Sequence, residues 1–202
     1  MNYRSILDRI LQTVDEEAYV TPMRRIGGEE GQAVAIVREV MRQPDWEPEE
    51  LRSLIRRLHT EGRMRRTTML SALHIVAAHP RVANWVEAAQ LAGEQELAAL
   101  EEGGSNLQNN LASVDRHRGV IAFQRGFFEA ALDHFGRALE RERSAPNLGN
   151  ILSTLIRLGE EAEAQSLLVQ IRSTYPSELV TELNVYIEQD HDLALLRTEY
   201  AP

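Results

Sequence analysis

The chain has 202 residues, 43% of them hydrophobic and 26% charged; this suits one domain or one short repeat array and excludes the low-hydrophobicity, high-charge regime of disordered chains. No cysteine occurs and all 22 basic residues are arginine, which excludes disulfides, thiolate nucleophiles, cysteine zinc sites, lysine Schiff bases and a Walker-type phosphate lysine. The net charge of -9 is uneven, with 13 Arg against 12 Asp and Glu in residues 1–81 and 9 against 19 in residues 82–202, so the acidic C-terminal half discourages nucleic acid and favours a basic partner.

Ala, Leu, Glu, Arg and Gln dominate and β-branched alternation is short, which predicts an all-α chain. Glycines and prolines divide it into helices near 2–20, 29–43, 48–61, 64–78, 81–101, 105–125, 127–142, 147–158, 160–174, 177–189 and 191–198. Pro48 followed by Glu49 and Glu50 suits a first helical turn, and Ser105 is placed to cap the helix it opens. No apolar run approaches the roughly 18 residues of a membrane span. The stretch MNYRSILDRILQTVDEEAYV has neither a basic leader nor a small-residue cleavage site, so a cytoplasmic location with no membrane contact is expected.

Residues 119–140 read GVIAFQRGFFEAALDHFGRALE, with Gly119, Gly126, Ala131, Phe135 and Ala138 in an order that has a packing logic. Gly119 lets a following antiparallel helix approach, Gly126 is placed to end the first helix in a left-handed conformation, and Ala131 sits at the closest approach of the two helices. Leu132, Phe135 and Leu139 share one stripe of the second helix and fill the space behind. The pattern recurs in LGNILSTLIRLGEEAEAQSLLVQIRSTYP, where Gly159, Ala164 and Pro176 take the corresponding places.

These residues resemble the tetratricopeptide repeat, a helix-turn-helix unit of about 34 residues. The clearest similarity covers residues 112–176; a degraded unit carries Gly62 and Pro80 with Thr67 in place of the small alanine, and Trp85, Ala88, Ala89 and Ala92 open another. Asp115 and Arg118 depart from the family, which usually has bulky apolar residues there. The resemblance implies a helical-hairpin repeat array, an α-solenoid over residues 48–202, with an N-terminal helical extension over 1–47 and a C-terminal capping helix pair in SELVTELNVYIEQDHDLALLRTEY. Gly103 and Gly104 are the candidate hinge. Stacking of several units is required because one hairpin cannot bury its own apolar face.

Such arrays generally receive peptides or protein segments on a concave surface formed by the first helices. By that resemblance the candidate partner-binding residues are Arg52, Arg56 and His59 in the degraded unit, Arg116, Val120, Phe123 and Gln124 in the better one, and Ser153, Ile156 and Arg157 in the next. Phe123 serves either as an anchor for a bound segment or as inter-helix packing. The arginines serve either as carboxylate clamps or as solvated charges.

Other motifs carry less. Arg63, Arg65 and Arg66 precede a helix as in DNA-reading folds, but Glu61 adjoins them and no basic stripe follows. The six histidines, His59, His74, His79, His117, His134 and His191, form no ligand pair one turn apart and no HExxH, and are read as solvated surface groups. Glu101 with Glu102 and Glu160 with Glu161 are adjacent in sequence and give no buried acid/base pair. Gly27, Gly28 and Gly31 follow no predicted strand and make no phosphate cradle. The expected function is therefore a non-enzymatic adaptor, chaperone or assembly factor that binds a protein or peptide, with no cofactor, metal or nucleic acid. The alternatives are a regulatory sensor whose repeats bind a small peptide or metabolite, and a self-assembling homo-oligomer.

Overall fold

The structure, a computed structural model, describes residues 3–15 and 28–197. Ten α-helices follow one another among them: α1 (Tyr3–Asp15), α2 (Gly28–Arg42), α3 (Pro48–Thr60), α4 (Arg66–Ala78), α5 (Trp85–Glu102), α6 (Leu107–Gln124), α7 (Phe128–Arg141), α8 (Ala145–Arg157), α9 (Glu161–Thr174) and α10 (Ser177–Gln189). Short 3-10 turns occupy Gly104–Asn106 and His191–Leu196. No strand occurs among the described residues, and consecutive helices pack in pairs, consistent with a helical-hairpin array. No described helix is long and apolar enough to cross a membrane.

The helices form two compact units. One holds the described residues of 1–22 and 122–202, the other those of 23–121, so the division falls inside α6. The sequence-based segment 1–47 is thus shared between them: α1 packs on α7 and α9, whereas α2 packs on α3.

In the first unit α8 is the central helix, contacting α7, α9, α10 and the 191–196 turn. Leu148, Ile151, Leu152 and Leu155 are fully buried there, each contributing about 1.5–3 kcal/mol over the exposed state. The α7–α8 corner is tied by Asn147, whose amide donates to the carbonyls of Ala138 (3.3 Å), which also accepts from the Glu142 amide (2.9 Å), and of Glu142 (2.8 Å) where α7 ends. Ile6, Leu7, Ile10 and Val14 form the buried stripe of α1. Ile10 lies against Gly136, and Arg9 pairs with Asp133 at 3.0 Å and Glu140 at 2.8 Å.

The second unit buries Leu51, Ile55 and Leu58 of α3, Leu70, Leu73, Val76 and Ala77 of α4, and Ala88 and Ala98 of α5, with Trp46 sealing one side. Glu30 of α2 accepts from the Thr68 hydroxyl at 2.6 Å and from the Arg65 backbone and guanidinium at 3.1 and 3.0 Å, joining α2 to the start of α4.

The turn glycines behave as their spacing predicts. Gly62, Gly126 and Gly159 have φ of +73°, +78° and +81°, which only glycine adopts without strain, and each follows a helix end. Ala131, Ala164, Leu132, Phe135 and Leu139 are all buried. Several boundaries differ from expectation: α4 begins at Arg66 rather than 64 and α8 at Ala145 rather than 147. Helix α5 begins at Trp85 rather than near 81, because Ala83 takes φ +46° and the Asn84 side chain accepts from the Glu87 amide, closing the N-terminus there. Helix α6 begins at Leu107, past Ser105, which lies in the 3-10 turn. The last element is a 3-10 turn rather than an α-helix, opened by the Asp190 carboxylate accepting from the Asp192 amide at 2.9 Å. Residues 2 and 16–20 of the first expected helix and residue 198 of the last lie outside the described residues.

Candidate functional site

The sequence-predicted binding residues separate into those the fold buries, those it leaves apart and those it gathers. Arg52 is not the exposed residue expected: it is 7% accessible, and its guanidinium is held by Glu49 of its own helix and by Glu87 of α5 at 2.8 Å. It therefore braces α3 against α5, and a buried arginine that gave up both carboxylates to a ligand would be left uncompensated. Ser153 is also buried, at 4%, because α8 is enclosed by α7, α9, α10 and the 191–196 turn, which leaves Ile151 to Leu155 all buried. Arg56 is exposed, and His59 is half-buried with Nδ1 2.7 Å from the Met64 carbonyl, closing the turn after α3. Arg116 and Val120 are half-buried on the part of α6 that belongs to the second unit.

Phe123, Gln124, Ile156 and Arg157 belong to the first unit. Phe123 meets Phe128 edge-on, with ring centroids 5.4 Å apart and planes at 69°. The Arg157 guanidinium lies against both rings, 5.9 Å from the Phe123 centroid and 5.5 Å from that of Phe128, and its Nη1 is 3.5 Å from Asp192. Alongside, Phe127 is 55% exposed with the Arg125 guanidinium 5.1 Å over its ring. Arg125 has no carboxylate partner among the described residues. Gln124 is exposed and Ile156 half-buried. The result is two ring–guanidinium clusters around the turn between α6 and α7, Arg157 with Phe123 and Phe128 and Arg125 with Phe127, each ring–cation contact worth about 0.5–1 kcal/mol where solvent reaches it.

Sequence reasoning named Phe123 and Arg157 and missed Arg125, Phe127, Phe128 and Asp192. The signal for three of these was FQRGFF itself: aromatics on both sides of a tight glycine turn are brought to one end of the helix pair. Asp192 arrives from 35 residues beyond Arg157, and no local pattern marks it.

A second polar cluster lies inside the second unit, where two of the supposedly solvated histidines are buried. His74 of α4 is 1% accessible and His117 of α6 is 5% accessible; their rings stack with centroids 3.9 Å apart and planes at 12°. Since a carbonyl only accepts, His74 Nδ1 donates to the Ala88 carbonyl (3.0 Å), which leaves Nε2 as a bare acceptor with no partner. His117 Nδ1 donates to Gln95 Oε1 at 2.9 Å, the Ser71 hydroxyl lies 3.4 Å from its Nε2, and Gln95 Nε2 donates to Ser113. Burial pushes the His74 pKa down to about 4, the hydrogen bond to Ala88 offsetting it only in part. Burial pushes His117 well below its usual range, and the neighbouring His74 and Arg116 add to it.

Both imidazoles are therefore neutral at pH 7. His117 is tied to Gln95, and no sulfur nucleophile exists in the chain. Among the described residues no group of three or more His, Asp or Glu side chains gathers to hold a metal ion. The cluster packs and hydrogen-bonds α4, α5 and α6 together, while the Phe123–Arg157 surface faces outward and offers contacts to another molecule. Comparison of the chain with protein-family models, with curated proteins and with solved structures gives no match.

Proposed function

We propose that this chain is a non-catalytic helical-repeat protein, built from tetratricopeptide-like hairpins, that binds a segment of a partner protein. Support for the repeat reading comes from register: Gly126 and Gly159 make left-handed turns 33 residues apart, and a buried alanine follows each by five residues. The observation that carries the binding reading is the surface of Phe123, Phe127, Phe128, Arg125 and Arg157. Phe127 gives a partner an apolar contact already in place, and Arg125, stacked rather than neutralised, keeps its N–H edges for a carboxylate. The segment it fits carries an apolar side chain next to an acidic one. Adaptor, chaperone and assembly roles all use such a surface.

Affinity capture with the tagged chain tests the reading. The wild type should retain a specific protein that Phe123→Ala, Phe127→Ala and Arg157→Ala each release more readily. Equal capture by all three variants would defeat it, because truncating a central aromatic or arginine anchor normally costs more than about 1 kcal/mol of binding.

A further inference from the structure

Within the second unit, residues 107–121 of α6 are fastened differently from the helices beside them. Helices α4 and α5 lie close together along most of their length, with Ala72, Ala77, Ala88 and Ala98 in the shared apolar core; small side chains let backbones approach. Helix α6 makes no comparable approach to either, and of its side chains only Ile121 joins that core.

What joins α6 to its neighbours is polar. His117 stacks on His74 of α4 at 3.9 Å, donates from Nδ1 to Gln95 of α5 at 2.9 Å, and has the Ser71 hydroxyl of α4 3.4 Å from Nε2. Gln95 in turn donates to Ser113 of α6 at 3.3 Å, and Arg118 of α6 pairs with Glu96 of α5 at 2.6 Å. That ion pair is partly exposed, so solvent screens it. Every other one of these links runs through His117 or Gln95.

The links hold only while both rings are neutral. His74 gives its one proton to the Ala88 carbonyl, and its Nε2 is buried without a partner, so a second proton there would be a buried N–H with nothing to receive it. A second proton on His117 can reach the Ser71 hydroxyl, but its charge is then buried face to face with the His74 ring. The charged group that bears on the pair, the Arg116 guanidinium of α6, opposes it further. No acid compensates. On α5, Glu87 is held by Arg52, Glu96 by Arg118, Glu101 by Arg66 of α4 and Glu102 by Thr67 of α4, while Glu94 is exposed. Asp115 lies about 200° around α6 from His117.

We propose that residues 107–121 of α6 form an acid-released latch: protonation of the stacked His74 and His117 detaches them from α4 and α5, while α3, α4 and α5 stay packed on one another. Departure of α6 opens the face of His74 that His117 covers, so Nε2 takes its proton from water and Nδ1 keeps its bond to Ala88. The core that remains, with Leu51, Ile55, Leu70, Leu73 and Val76, has nothing to titrate. Both rings have depressed folded values, so the latch is closed above about pH 6.5 and opens as pH falls toward 4.

Hydrogen exchange of the full-length chain, read by mass spectrometry and corrected for the intrinsic effect of pH, tests the proposal. Between pH 7 and pH 5 the protection of peptides over 107–121 should fall about 20-fold for each ring that titrates freely once α6 opens. Peptides over 51–58 and 70–77 should stay the better protected at both pH values. His74→Gln and His117→Gln should each shrink the ratio between the two pH values, a readout that holds even where a variant lowers protection at both. Three results would each overturn the proposal: unchanged protection of 107–121 between pH 7 and pH 5, one protection level shared and lost together by all three regions, or the full wild-type ratio in both variants.

Discussion

Lowering the pH from 7 to 5 should selectively weaken the second unit through the stacked pair His74 and His117. In the unfolded chain a histidine titrates near 6.5; in the fold His74 is held at about 4 by burial and His117 is depressed in the same direction. A depressed folded value means that the stabilisation is complete above about pH 6.5 and is lost as pH falls from there toward 4, because the unfolded chain takes up the proton first. At pH 5 the loss from His74 alone is about 2 kcal/mol relative to pH 7, and His117 adds to it. Protonating both rings in place would set two positive charges against each other at a 3.9 Å centroid separation with Arg116 nearby, so the fold cannot relax by accepting the protons. Both tryptophans, Trp46 and Trp85, belong to this unit, so urea unfolding followed by tryptophan fluorescence at the two pH values reads it selectively. Carboxylates titrate elsewhere in the chain, so the informative quantity is the pH-dependence that vanishes in His74→Gln and His117→Gln. If wild type and both variants lose the same stability between pH 7 and pH 5, the neutral buried pair is not what the geometry says it is.

Three substitutions test the packing. Ala131→Leu forces a larger side chain into a fully buried position of α7 and should lower stability by about 1–3 kcal/mol, read as a fall in thermal midpoint by circular dichroism; an unchanged midpoint would show the site to be open. Gly149→Ala should destabilise, because the new methyl runs into the Tyr186 ring and disturbs its hydrogen bond to Asn150 at 3.1 Å. Gly93→Ala should do the reverse, stabilising by about 0.5–1 kcal/mol through helix propensity alone. Denaturant titration of the two glycine variants should therefore give midpoint shifts of opposite sign.

The sequence by itself determined the helices and most of their ends. Helix formation, proline at a first turn and glycine at a left-handed stop are decided within about four residues along the chain, so Pro48, Gly62, Gly126 and Gly159 mark their own places. Buried stripes such as Leu132, Phe135 and Leu139 follow from the same period. The start of α5 was less legible, because the competing turn depends on Ala83 adopting a positive φ. Only the tertiary structure decided what side chains on different helices do together. It put α1 against α7 and α9, turned Arg52 from a surface cation into a buried brace through Glu87, and stacked His74 on His117 across 43 residues of chain. It also set Arg157 against Phe123 and Phe128. These contacts depend on where helices cross and at what rotation, which packing fixes by burying the most apolar area, and a one-dimensional period carries neither the crossing point nor the partner.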